Sequence, residues 1–122
     1  MEKRIYHCYF VEVACMYDMR TSALLYHFDF WYQKVKREDI QFFYGEYWVR
    51  MKLDSIERYF PYLTRDQIRY TLKGMIENDL LKKGMFNPNR YDRTNWYTLT
   101  EKSKKLLEAI RNQEKQRAPD GK

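Results

Sequence analysis

The chain has 122 residues, of which 44% are apolar and 33% charged, with two cysteines and a formal net charge of +6. That length carries one hydrophobic core rather than two, and the apolar content excludes a disordered chain. There is no run of about 20 apolar residues to span a membrane, and the first ten residues lack the apolar stretch and cleavage site of a signal peptide, so a cytoplasmic protein is expected.

Residues 9 to 17 fit a short strand or a short helix equally well. From Thr21 or Ser22 the pattern predicts a core helix, because Leu24, Phe28, Trp31 and Val35 recur at helical spacing with Leu25 and Tyr32 beside them. His27 lies in this stripe and is expected as a hydrogen-bonded core or rim histidine, not a catalyst. Residues 36 to 46 mix charges, aromatics and Gly45 and read as a connection with some local structure. Residues 47 to 52 alternate large apolar and polar side chains, as a short strand does. Asp54 and Glu57 have the spacing of a capping box, and Ile56, Tyr59 and Phe60 continue a short helix that Pro61 ends.

After the turn Pro61-Tyr62-Leu63, Thr64 and Gln67 again have capping-box spacing. Ile68, Leu72, Met75 and Ile76 give the next helix one buried face. Arg65, Asp66, Arg69, Tyr70, Lys73 and Glu77 are left on the outside. Guanidinium, ammonium and phenol groups bond guanine edges, phosphates and sugars in a major groove, which makes this a candidate reading helix, with Thr64, Arg65, Gln67, Arg69, Tyr70 and Lys73 as its expected DNA contacts. Two β-prone runs then flank an Asn/Pro-rich tip, the pattern of a hairpin. Lys82, Lys83, Arg90 and Arg93 are its cations, and Asn87 and Asn89 add short polar groups suited to a sugar-phosphate backbone. Trp96, Tyr97 and Leu99 are expected to pack, with Tyr97 and Leu99 on one face.

Thr100 is the expected N-cap of a last helix with Leu106, Leu107 and Ile110 inward, and residues 118 to 122 should form a disordered tail. A single domain over 1 to 117 follows, α+β and mostly helical, with a helix-turn-helix at about 54 to 78 and a hairpin at about 80 to 99. That order is a winged helix-turn-helix with a small antiparallel sheet and extra N- and C-terminal helices. The cations are placed unevenly: residues 1 to 34 hold four basic and four acidic groups, 35 to 64 five and five, and 65 to 122 fourteen and eight. A positive field that begins at Arg65 suits a polyanion.

Two cysteines and two histidines, Cys8, Cys15, His7 and His27, lack the spacing of a zinc site, and two free thiols packed as small hydrophobes are expected. The sequence has no glycine-rich phosphate loop, nucleophile motif or HExxH, so neither an enzyme nor a cofactor is expected.

From Trp48 to Thr100 the chain resembles the winged-helix domains at the N-termini of phage and plasmid replication initiators, or replisome organisers. The resemblance is carried by YWVRM, by YFPYLTRDQIRYTL, by Leu80-Leu81 and above all by FNPNRYDRTNWYTLT, with Asn87, Asp92, Arg93, Thr94, Trp96 and Tyr97. ALLYHFDFWY also looks like the family's first helix, which extends the likeness to roughly 9 to 105. It implies binding of double-stranded DNA, usually at repeats near a replication origin of a phage or other mobile element. It also implies Arg65, Arg69, Tyr70 and Lys73 facing the groove, with Asn89, Arg90 and Arg93 as wing contacts. Such initiators commonly carry a further C-terminal region for the helicase-loading machinery. This chain ends soon after its last helix, so loader contact is not expected of it.

A small transcriptional regulator, a copy-number regulator or a fragment of a longer product is the alternative within the same fold. A protein-binding module without DNA is the alternative function. Tyr44, Tyr62 and Tyr91 joined in one apolar patch over an occluded basic face would favour it. A homodimer or assembly on repeated sites would pair through Phe42, Phe43 and Tyr44 and through the apolar face of the last helix.

Overall fold

The computed structural model describes residues 6–117, so the expected tail lies outside the described residues. Within them the chain is α+β and mostly helical, with five helices and a small antiparallel sheet beside a two-stranded one. The ambiguous segment at 9 to 17 forms a helix, α1 (Val11–Met16). It lies against a helix instead of a sheet edge, so a strand there would have no ladder partner. Ser22 pins its entry, accepting from the Phe10 amide at 2.7 Å and donating to the Phe10 carbonyl at 2.5 Å.

The core helix α2 (Met19–Glu38) starts ahead of the expected Thr21 or Ser22. Asp18 is the cap, its carboxylate accepting from the Thr21 amide at 2.7 Å, which satisfies one of the free amides of the first turn. Leu24, Leu25, Phe28, Tyr32 and Val35 are buried as their spacing predicts, with Trp31 half-buried. Asp39, in the left-handed conformation at φ 54°, stops the helix.

The connection contains a hairpin, β1 (Phe42–Phe43) and β2 (Glu46–Tyr47). Its two turn residues, Tyr44 and Gly45, have φ of 53° and 76°. Positive φ at both positions suits the right-handed twist of a two-residue hairpin. The strand expected over 47 to 52 is divided, because β3 (Val49–Arg50) joins a different sheet from β2. In that sheet β5 (Trp96–Leu99) lies between β3 and β4 (Leu81–Gly84), all antiparallel.

Helices α3 (Leu53–Tyr59), α4 (Arg65–Glu77) and α5 (Glu101–Arg117) complete the fold. Thr100 caps α5, accepting from the Ser103 amide at 3.1 Å. Leu107 and Ile110 are fully inside the core, so the apolar face of α5 is not a free pairing surface. A half-buried polar triad fixes α5 further: Tyr32 donates to Glu46 at 2.7 Å and Lys104 pairs with the same carboxylate. Burial, then the Glu46 hydrogen bond, pushes the Tyr32 phenol up to about 12. Among the described residues no helix is long and apolar enough to cross a membrane. Cys8 and Cys15 are both free, as expected, but exposed instead of packed.

Candidate nucleic-acid interface

Pro61 ends α3 at Tyr59, since the residue before a proline is driven out of the helical region; Phe60 accordingly has ψ 69°. The capping box of α4 forms in full: Thr64 accepts from the Gln67 amide at 3.1 Å, and Gln67 accepts from the Thr64 amide at 2.9 Å. Thr64 and Gln67, expected as DNA contacts, therefore set where the helix begins, and the cap bonds occupy their side-chain oxygens. Ile68, Thr71, Leu72 and Met75 are buried, and Arg69, Tyr70 and Lys73 are exposed.

Arg65 departs from its expected place. Its guanidinium donates from Nε to Glu57 at 2.8 Å and also pairs with Asp54, both on α3. The carboxylates raise its pKa further and neutralise its charge, so it clamps the two helices together. The same contacts correct the capping box expected at Asp54 and Glu57. The N-cap of α3 is Lys52, with no side-chain cap bond.

The β4–β5 register separates the two lysines. Lys83 lies opposite Tyr97, on the face where Leu81 and Leu99 meet the core, whereas Lys82 lies opposite Thr98 on the other face. The expected alternation of Tyr97 and Leu99 holds, yet Trp96 and Thr98 are buried too. Phe43, Trp48 and Phe86 cover their side, with the Phe43 and Phe86 rings stacked at 4.8 Å.

Asn87 also belongs to the scaffold. Its Nδ2 donates to the carbonyls of Asp92 at 2.9 Å and Thr94 at 2.8 Å, and its Oδ1 accepts from Trp96 Nε1 at 2.8 Å and Arg50 Nε at 3.3 Å. Two donors and two acceptor sites are the whole capacity of an amide, so Asn87 holds the loop in shape. Arg50 adds a 2.6 Å pair with Asp92. The Thr94 hydroxyl and amide, then Arg50, hold the Asp92 carboxyl down to about 2. Asn89 turns the tip, accepting from the Tyr91 amide at 2.9 Å. Arg90 stays exposed with its guanidinium 5.1 Å from the centre of the Tyr91 ring.

Between α4 and this hairpin runs an open groove of about 820 Å³. Lys52, Arg69, Lys73, Lys83 and Arg93 line it, against the acids Asp54 and Glu77. Asp54 is already paired with Arg65. Four expected site residues of helix and hairpin thus meet here: Arg69, Lys73, Lys83 and Arg93. Lys82, Asn87, Asn89 and Arg90 do not line it. Lys52 was not singled out in the sequence, where one lysine in a strand-to-helix link carries no signal; only the sheet pairing brings it to the groove. Tyr44, Tyr62 and Tyr91 are exposed, but Tyr44 neighbours Phe86 while Tyr62 neighbours His7 and Phe60, so no ring contact joins them.

Comparison with family models, with curated proteins and with solved structures finds no match to this chain.

Proposed function

We propose that the chain binds duplex DNA as a winged helix-turn-helix, with α4 in the major groove and the β4–β5 hairpin as the wing along the backbone. The observation that carries this reading is the groove between them. Lys52, Arg69, Lys73, Lys83 and Arg93 face it from α4, the hairpin and the link before α3, and of its two acids Asp54 is paired with Arg65, while Glu77 forms no ion pair among the described residues. Cations on two walls of a channel attract a polyanion that threads between them, and displaced counterions supply the free energy.

Arg69 and Tyr70 stand exposed on the helix ridge, the position from which base edges are read. Arg90 on the loop is placed to hold phosphate irrespective of sequence. The resemblance to replication initiators supports a replication-associated role in a phage or other mobile element. A small transcriptional regulator would use the same surface. Separate tyrosines and an open basic ridge speak for DNA over a protein-binding platform.

Selection of bound duplexes from a random library at fixed salt tests the reading. Enrichment of a motif is expected, with Arg69→Ala or Tyr70→Ala weakening that motif more than random DNA, by about 1–3 kcal/mol for a lost base contact. Arg90→Ala should weaken both alike. A library recovered without enrichment, or equal losses for all three variants, would remove α4 as the reading element.

A further inference from the structure

The N-terminal strap, the middle of α2 and the end of α3 enclose a second cavity, of about 300 Å³. Its walls are aromatic: Tyr6, Tyr26, Phe30, Trp31, Tyr59 and Phe60. His7, His27, Cys8 and Ala23 complete the lining, so among the described residues no lysine, arginine, aspartate or glutamate faces it. The basic groove described above shares none of these residues.

Several rings at this cavity remain in water that a finished core would exclude. Tyr6 is 74% exposed and Phe30 55%. The imidazoles pack against the same phenol, each with its ring centre 4.6 Å from that of Tyr59. His7 Nδ1 is 2.7 Å from the Tyr62 hydroxyl, and its Nε2 is buried without a partner among the described residues. A hydroxyl or ring N–H brought to His7 Nε2 would supply the missing bond. Among the described residues no three His, Cys, Asp or Glu side chains come together to hold a metal ion.

We infer that this cavity is a binding site for a small neutral planar aromatic molecule that carries one hydroxyl or ring N–H, of the phenol or indole kind. Size permits it, since an apolar cavity of about 150 Å³ accommodates benzene, and this one is twice as large. Chemistry restricts it: aromatic walls with a few polar groups favour flat rings, and a lining whose described residues carry no charge gives a carboxylate or an ammonium no partner there. A cation is disfavoured by a further observation. Burial, then the neighbouring His7, lowers the His27 pKa to about 4, so the site already resists positive charge on one of its own side chains. The walls Tyr59 and Phe60 close α3, and Tyr62 lies in the turn before α4, so an occupant touches the brace of the exposed helix.

Isothermal titration of the full chain with indole and 4-methylphenol, against benzamidine and benzoate, tests the inference without DNA. Saturable one-to-one binding of both neutral probes is expected, about tenfold or more tighter than either charged one. Phe30→Ala removes an exposed wall and should weaken indole several-fold while the far-ultraviolet circular dichroism stays native. Ala23→Phe fills the cavity and should abolish binding; if it unfolds the chain, Phe30→Ala decides. No saturable binding by the neutral probes, equal binding of the charged ones, or unchanged affinity in a folded Phe30→Ala variant would overturn the assignment. Each of those results leaves the DNA reading as it stands.

Discussion

Replacing Asn87 by alanine removes the bracket that shapes the hairpin loop, and the loss can be worked out bond by bond. Trp96 is 6% exposed, so its indole N–H, which now donates to Asn87 at 2.8 Å, would be left in the protein without an acceptor. An orphaned buried donor costs about 1–3 kcal/mol. The two Nδ2 bonds to the Asp92 and Thr94 carbonyls contribute about 0.5–1.5 kcal/mol each in general, toward the lower end here because the site is half-exposed. The sum is about 3 kcal/mol, or a fall of roughly 15 °C in melting temperature for a domain of this size. Asn87→Asp keeps the acceptor for Trp96 and should lose about half as much, while Asn89→Ala, with one turn bond at stake, should lose under about 1 kcal/mol. Guanidinium unfolding and a thermal scan of the three variants, without DNA, measure this directly. A melting temperature within about 3 °C of the parent for Asn87→Ala would refute the bracket and return Asn87 to the surface as a free contact residue.

Three further outcomes follow from the packing. His27 is buried with its pKa lowered from 6.5 to about 4. Its neutral form therefore supports folding fully above pH 6.5, and that support declines as pH falls toward about 4. The lost stability is about 3 kcal/mol, which His27→Phe should abolish in urea titrations at pH 7 and pH 4; an unchanged pH dependence would contradict it. Tyr44 holds a left-handed conformation while 92% exposed, so Tyr44→Asn should stabilise the chain by about 0.5–1 kcal/mol, seen as a higher urea midpoint. At Gly84 an added Cβ would lie 2.9 Å from Phe86 Cε2 and 3.0 Å from Trp48 Cζ3. Gly84→Ala should cost about 1–3 kcal/mol and change the near-ultraviolet circular dichroism of the tryptophans; a neutral result would mean the rings yield freely.

Elements with local signals were legible in the sequence. The α4 capping box, the Pro61 stop, the inward face of α2 and the two hairpin strands each depend on residues within a few positions of one another, and each stands where the spacing put it. What the sequence hid depends on distant partners. Asp54 and Glu57 have a cap's spacing, yet Arg65, eight residues beyond Glu57, takes both carboxylates once the helices meet. Asn87 reads as a polar loop tip until Arg50 and Trp96 arrive on either side of it. The Tyr44-Gly45 turn lacks the usual Asn-Gly signature, so its hairpin passed as a connection. Lys82 and Lys83 look equivalent in a row, and only the register with Thr98 and Tyr97 sends them to opposite faces.

The proposed DNA groove is tested most directly by the salt dependence of duplex binding, followed by fluorescence anisotropy on a random 20-base-pair duplex between about 50 and 200 mM salt. With Lys52, Lys73, Lys83 and Arg93 of the groove and Arg90 of the loop on phosphates, the log-log slope should be about −4 to −5. The double variant Lys83→Glu, Arg93→Glu should flatten it by about 2 while the fold stays intact. Binding that does not change over this range, a slope that the double variant leaves untouched, or no binding at the lowest salt would contradict the account.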